Sequence, residues 1–232
     1  MISTRFVPFV VPALLALAVD VAFAQGFKFS TPDTTEQAAQ AAKEDRIAYE
    51  LSTPCRADLK GKKIMVVIGE RQSNGYIEAH QNNYGPHFQA INARLRSLGL
   101  RTFTPEEIRA QIAQAEIDAY FKNNPDLALS AAKRLGASFV LRGLITADAV
   151  MNPIIAVNQV HVSMGFTLAG SDGRIVSDVG AESASYAGAN VGQMALTLVN
   201  EQADEVVARL YGDYCRNAGL GTPTPKPKAK SK

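Results

Sequence analysis

The apolar and polar positions of the chain change period several times, and each change marks an element. Ile64-Met65-Val66-Val67-Ile68 is apolar on both faces, as a central strand covered on each side must be. From Gly69 to Gly85 this gives way to a polar, turn-rich stretch, GERQSNGYIEAHQNNYG. It follows the carboxyl end of the first strand, where open α/β sheets place ligands. Phe88, Ile91, Leu95 and Leu98 then recur at spacings of three and four, one buried helical stripe that Gly99 closes. Leu100 to Phe103 make a short strand. Thr104-Pro105-Glu106-Glu107 supplies an N-cap, a proline at the first helical position and a Glu at the third, a capping box. Ile108, Ile112, Ala115 and Ala119 carry the inward face of the helix that follows. Asn124-Pro125-Asp126 opens another helix, through Leu135 and closed by Gly136. Ser138 to Thr146 reads as a strand.

The clearest local signal is a hairpin at Ser171-Asp172-Gly173-Arg174, where Asp-Gly suits a two-residue type I′ turn. Ahead of it Val160, Val162, Met164, Phe166 and Leu168 alternate with His161, Ser163, Gly165, Thr167 and Ala169. A two-residue loop sets Phe166 opposite Val179, Met164 opposite Ala181 and Val162 opposite Ser183. One side of the hairpin is then an apolar floor for helices. The other shows His161, Ser163, Thr167, Asp178 and Glu182 to water or to a partner. An amphipathic helix from about Asn190 to Tyr211 closes the domain, with Val191, Ala195, Leu198, Val199, Val206 and Leu210 as its stripe. The expected order is β-α-β-α-α-β-β-β-α, an α/β (α+β) fold with a mixed sheet and helices packed mainly on one face. Residues 61–216 form this single domain. Residues 25–60 are an arm whose Ala-rich stretch, Thr34 to Ala48, makes a weakly docked helix. Residues 217–232 end in TPTPKPKAKSK and are expected to be disordered.

The first 24 residues read as a secretory signal. Arg5 gives the positive start, Phe6 to Val19 an apolar run interrupted by Pro8 and Pro12, and Ala22-Phe23-Ala24 an A-x-A cleavage site ahead of Gln25. That run is shorter than the roughly 20 apolar residues of a membrane-spanning helix, so no transmembrane segment is expected in the mature chain and its compartment is periplasmic. Of 232 residues, 24 are Lys or Arg and 22 Asp or Glu, a net charge of +2. The signal carries one Arg and one Asp, and the tail carries Lys226, Lys228, Lys230 and Lys232, so residues 25–221 stand at −2. This balance excludes a strongly basic nucleic-acid binder. It leaves the tail only weak, salt-sensitive attraction to anionic envelope polymers. Two cysteines suit an oxidising compartment. Cys55 lies before the first strand and Cys215 after the last expected helix, and a bridge would staple the domain's ends across about 160 residues.

Three passages carry a resemblance. They are the Lys62-to-Ile68 strand before its polar loop, the run from Ala131 to Gly143 (AAKRLGASFVLRG), and Ser171-Asp172-Gly173-Arg174-Ile175-Val176 at the strand pair. Over roughly residues 60–212 they resemble a family of bacterial envelope proteins. It includes the curli secretion channel subunit, the flagellar assembly protein T middle domain, the lipoprotein activators of penicillin-binding proteins and the TolB amino-terminal domain. The resemblance implies a TolB-N or anticodon-binding-like fold and an assembly, scaffold or adaptor role without a cofactor. Envelope proteins are the implied partners, and a homo-oligomer is compatible with it. The chain departs from the family in lacking a lipidation cysteine at the cut. No long amphipathic hairpin of the kind that builds the curli pore is read from it, so a channel is not expected.

No phosphate-cradling loop, dinucleotide fingerprint, H-E-x-x-H or G-x-S-x-G occurs. Glu78, His80 and His87 could meet at a metal, but their spacing fits no ligand pattern, and solvated loop residues are the commoner reading. Ser163, His161 and Glu182 superficially assemble a nucleophile, a base and an orienting carboxylate. A flat sheet lacks the cleft and oxyanion donors that acyl chemistry needs. No catalytic or metal residue is therefore assigned. The candidate contact residues are Arg71, Asn74, Tyr76, His80 and Tyr84 in the loop and His161, Asp178 and Glu182 on the sheet. The leading expectation is a non-enzymatic envelope module for a secretion, flagellar or cell-wall machine. The alternative is a periplasmic small-molecule or glycan sensor that uses the 69–87 loop as its pocket.

Overall fold

A computed structural model describes residues 34–71, 77–78, 85–121, 125–187 and 190–221. The signal segment, the tail from 222, and most of the 69–87 loop lie outside these. So do four of the candidate contact residues, Asn74, Tyr76, His80 and Tyr84.

The chain forms helices α1 (Thr34–Leu51) and α2 (Arg56–Leu59), strand β1 (Lys63–Arg71) and the short β2 (Ile77–Glu78). Helix α3 (Pro86–Ser97), the two-residue strand β3 (Arg101–Thr102), and helices α4 (Pro105–Arg109), α5 (Gln114–Phe121) and α6 (Pro125–Leu135) follow. Strands β4 (Phe139–Asn152), β5 (Val157–Gly170) and β6 (Ile175–Ala187) lead into the long helix α7 (Val191–Asn217). The mixed sheet runs β2-β1-β4-β5-β6, with β3 parallel to the start of β1. Strands β1 and β4 are parallel, and the β4-β5-β6 meander is antiparallel. This is the expected α+β architecture.

Period-two alternation decides where the cores lie. Ile64, Val66 and Ile68 join the larger core beneath α3 and α7, whereas Met65 and Val67 join a smaller one beneath α4, α5 and α6. Helices α4 to α6 reach only the start of β4. Val140 is in their core, but Arg142, Leu144 and Thr146, next on the same face, are only partly covered. Beyond that point one side of the sheet is roofed by α7 and the other is open. Gly143 marks the tightest point of the covered side. A Cβ there would stand 2.4 Å from the Phe166 ring and 3.1 Å from Ile68 Cγ1.

Several boundaries differ from the sequence reading. The capping box is formed, with Thr104 Oγ1 accepting from Glu107 N–H and Glu107 Oε2 from Thr104 N–H. The helix after it is nevertheless divided, because Glu116 Oε2 accepts from the Ala113 N–H and starts α5 as a new helix, held by Arg134 at 2.7 Å. Strand β4 runs six residues past Thr146. With β5 it makes a long hairpin where none was read, through a turn at 153–156 that carries no Asp-Gly or Asn-Gly signal. The β5–β6 turn also differs. Gly170 N–H donates to Arg174 O and Gly173 N–H to Gly170 O, with only Gly173 at positive φ (87°). This is a three-residue loop, and a type I′ turn would need positive φ at Asp172 too. A bulge at Val176 adds the residue that the loop takes away. The predicted pairs Phe166–Val179, Met164–Ala181 and Val162–Ser183 therefore all form.

Helix α7 continues past Tyr211 because its buried stripe does, through Tyr211, Tyr214 and Cys215. Cys215 is thus inside the helix and is bridged to Cys55, the Cα atoms 5.8 Å apart. Closing a loop of 160 residues in this way stabilises by several kcal/mol in the chain-entropy account. Around the bridge, Tyr211 donates to Thr53 O, and Lys62 Nζ donates to Asp58 (2.6 Å) and to the Tyr214 hydroxyl (2.8 Å). Tyr214 in turn donates to Asp58. Helix α1 lies along α7 and is tied mainly by charge, Arg46–Glu205 at 3.3 Å and Glu50–Arg216 at 2.7 Å.

The hydrogen bond from Lys62, then that from Tyr214, holds the Asp58 carboxyl below its ordinary value. Burial opposes the Lys62 charge, but its bonds to Asp58 and Tyr214 outweigh this and raise it. Burial, then the bond to Asp58, raises the Tyr214 hydroxyl. A depressed carboxyl stabilises the fold above its unfolded value, and that contribution is lost as pH falls below about 4. The raised Lys and Tyr contributions hold through neutrality and are lost as pH climbs past about 10. Denaturant melts across pH should show Asp58→Asn to be less stable than wild type at pH 7, with the gap narrowing as pH falls below about 4. A constant gap over that range would rule out this triad as its source. Gly143→Ala should cost about 1–3 kcal/mol through overpacking against Phe166. Gly165→Ala, where an added Cβ meets nothing within 4 Å, serves as the control in the same melts and should lose no stability.

Candidate functional site: the open face of the sheet

The residues left uncovered by α4–α6 stand in cross-strand rows. One row is Arg71 (β1), Thr146 (β4), Ser163 (β5) and Glu182 (β6). The next is Gly69, Leu144, Gly165 and Gly180, and after it come Arg142, Thr167 and Asp178. On the other side of the Ser163 row lie Asp148, His161 and Ala184. The glycine-rich row is lower than its neighbours. It floors a shallow trough of about 470 Å³ lined by Leu144, Thr146, Ser163, Gly165, Gly180 and Glu182. Sterics within the chain do not demand glycine at two of these places. A Cβ on Gly165 would meet nothing within 4 Å, and one on Gly180 only Met164 O at 3.7 Å. Glycine in a strand interior weakens it, so the trough is kept open at some expense of stability.

The trough is electrically polarised. Arg71 and Arg142 stand at its β1–β4 end, and Glu182 and Asp178 at its β6 end, with Asp148 of β4 the exception, one row beyond Thr146. With strands about 4.8 Å apart, the cationic and anionic ends are separated by roughly 10–14 Å. Asp178 accepts from Thr167 Oγ1 at 3.2 Å, which fixes one anionic corner. At the β6 edge Arg209 of α7 reaches round to donate to Gly180 O at 3.0 Å.

The structure therefore brings together Arg71, His161, Asp178 and Glu182, four of the expected contact residues, on one exposed face. Arg142, Thr146 and the glycine row were missed. Arg142 and Thr146 alternate within the expected Ser138–Thr146 strand and were legible there, whereas the glycine row depends on register across four strands. Ser163 and Glu182 are direct cross-strand neighbours, and His161 is one row away. Among the described residues no hydrogen bond joins the three, and no helix roofs them. Glu78, His80 and His87, considered as a metal group and not assigned as one, cannot be compared as a set within the described residues. His87 Nδ1 lies 3.0 Å from Glu70 at the start of α3, and His80 falls outside the described residues. Among the described residues, no group of three metal-ligating side chains occurs, and no helix is long and apolar enough to cross a membrane.

No family model matches the chain, and no curated protein does. Among solved structures it is similar to the hypothetical protein CT253 from Chlamydia trachomatis, at 15% identity over 68% of this chain and 99% of that one, with a TM-score of 0.47. It is also similar to a PelC dodecamer from Paraburkholderia phytofirmans (15% identity, 66% of this chain and 89% of that one, TM-score 0.40). A third is the C-terminal domain of LpoB from Salmonella enterica (14% identity, 60% and 98%, TM-score 0.38).

Among the described residues no base is hydrogen-bonded to Ser163, so no activation of that hydroxyl is expected from them. Wild type and Ser163→Ala should give the same rate with p-nitrophenyl acetate, both at the level of a heat-denatured control. A Ser163-dependent excess would reinstate the hydrolase reading.

Proposed function

We propose that the chain is a non-enzymatic module of the bacterial envelope. It would be exported to the periplasm, cut after Ala24, and act as an assembly, scaffold or adaptor piece that holds a partner on the open face of its sheet. The polarised trough carries this reading. A groove floored by glycines that its own chain leaves unfilled, with arginines at one end and carboxylates at the other, is built for contact. An extended or helical segment with an acidic and a basic side chain about 10–14 Å apart would complement it. The A-x-A site at Ala22–Ala24 and the Cys55–Cys215 bridge agree with an oxidising compartment outside the cytoplasm.

A photo-crosslinking residue introduced at Ser163 should give one discrete envelope adduct in cells, and the same residue at Lys133, on the far side of α6, should not. Gly165→Tyr, which fills the trough without meeting other atoms near its Cβ, should abolish the adduct while leaving the melting temperature unchanged or raised. Charge reversal by Glu182→Lys with Asp178→Lys should do the same. Equal adducts from both positions, or an adduct that survives Gly165→Tyr, would count against this face as the contact surface.

A further inference from the structure

Apart from the trough, the most conspicuous surface is the outer end of the β4–β5 hairpin. Five exposed large apolar side chains gather there, Val150 (59% exposed), Met151 (56%), Ile154 (89%), Ile155 (53%) and Tyr186 of the neighbouring strand (51%). From Ala147 to Met151 strand β4 is exposed on both faces, so this end stands clear of the helices. The turn between the strands is prepared to leave water. Pro153 has no N–H, and the N–H groups of Ile154 and Ile155 both donate to Asn152 Oδ1, at 2.9 and 3.4 Å. Ala156 occupies the left-handed region (φ 50°), where glycine or asparagine is the usual residue. The chain from Gly143 to Gly173 has no Lys or Arg, and from Ala149 to Gln159 no ionisable side chain at all.

We propose that this hairpin end inserts into the interfacial layer of a lipid bilayer, engaging acyl chains and not headgroup charge. A convex two-stranded tip of this width cannot present the roughly 800 Å² per partner of a standard protein interface. Insertion into lipid needs no matching surface, but it does need backbone donors already satisfied and no buried charge. In the turn, the Ile154 and Ile155 N–H groups are bonded to Asn152, and no ionisable side chain lies between Ala149 and Gln159. Asp148, the nearest carboxylate on the strand, is four residues behind Asn152, about 13 Å along the ribbon. It therefore stays in water at the roughly 5–10 Å depth of interfacial insertion. Tyr186, in the row of Val150 and Gln159, then lies at headgroup level, where its amphipathic ring is suited. The inference is independent of the partner proposed for the trough.

The chain contains no tryptophan, so Ile154→Trp creates a single reporter in the full-length protein at a fully exposed place. With phosphatidylcholine vesicles the introduced indole should shift to shorter wavelength and be quenched by brominated acyl chains. Both effects should persist in about 0.5 M salt, where exposed charge attraction is screened. Adding Ile155→Asp should weaken partitioning about tenfold or more. Gln111→Trp, on the α4–α5 connection, should show neither shift nor quenching. An indole that remains in water at position 154 overturns the proposal, even if the protein reaches the vesicles through its N-terminal apolar run or its Lys tail. Loss of the signal in salt overturns it as well.

Discussion

The pairing of β1 with β4 is the constraint from which the other parts follow. Ile64 to Ile68 offer apolar side chains to both sides of the sheet, so neither side can be left to water at that strand. Helices α3 and α7 close one side and α4 to α6 the other. Because β1 and β4 are parallel, a crossover must join them, and it contains the very helices that supply the smaller core. Beyond the start of β4 the antiparallel meander no longer needs a second cover. Val160, Val162, Met164 and Phe166 point to α7, and the residues between them are free to be polar.

That half-covered geometry creates the candidate site. An open face costs nothing when its residues are Thr146, Ser163, Asp178 and Glu182, and the glycine row turns it from a flat polar surface into a trough. The same meander projects its β4–β5 hairpin past the end of the helical roof, which leaves Ile154 and Ile155 outside the core. Two surfaces of opposite character therefore come from one structural fact, the mismatch between the length of the strands and the extent of the helices that cover them.

Closure of the chain is a separate matter. The bridge between Cys55 and Cys215, with Tyr211 and Tyr214 packed beside it, joins the entry to β1 to the end of α7. Helix α1 is added outside this closure. It buries little of its Ala-rich surface and is held by ion pairs, and exposed ion pairs contribute little each. In the Asp58–Lys62–Tyr214 triad the ion pair is about a third exposed while Tyr214 is buried, so the ion pair tunes the stability of the closure and does not make it.

Local pattern alone determined much of this protein. The double-sided Ile64–Ile68 strand, the α3 stripe, the Thr104–Glu107 box, the buried face of β5 and the Phe166–Val179 register are set by side chains within a few residues of one another. Arg71, His161, Asp178 and Glu182 could be expected on exposed surface because loop polarity and strand alternation are local properties too. What only the tertiary structure decided depends on distant partners. Whether β4 ends at Thr146 or continues to Asn152 rests on β5 pairing with it. Whether α7 stops at Tyr211 or runs to Asn217 rests on Cys55 and Thr53 packing against its last turns. The register of the β5–β6 pair was anticipated through the wrong turn, since a three-residue loop and a bulge at Val176 together give the same pairing as a two-residue loop. Above all, nothing local sets Gly69, Gly165 and Gly180 in one row, with two arginines at one end of the trough and two carboxylates at the other. Those residues are brought level by strand register across four strands, and register is a property of the assembled sheet.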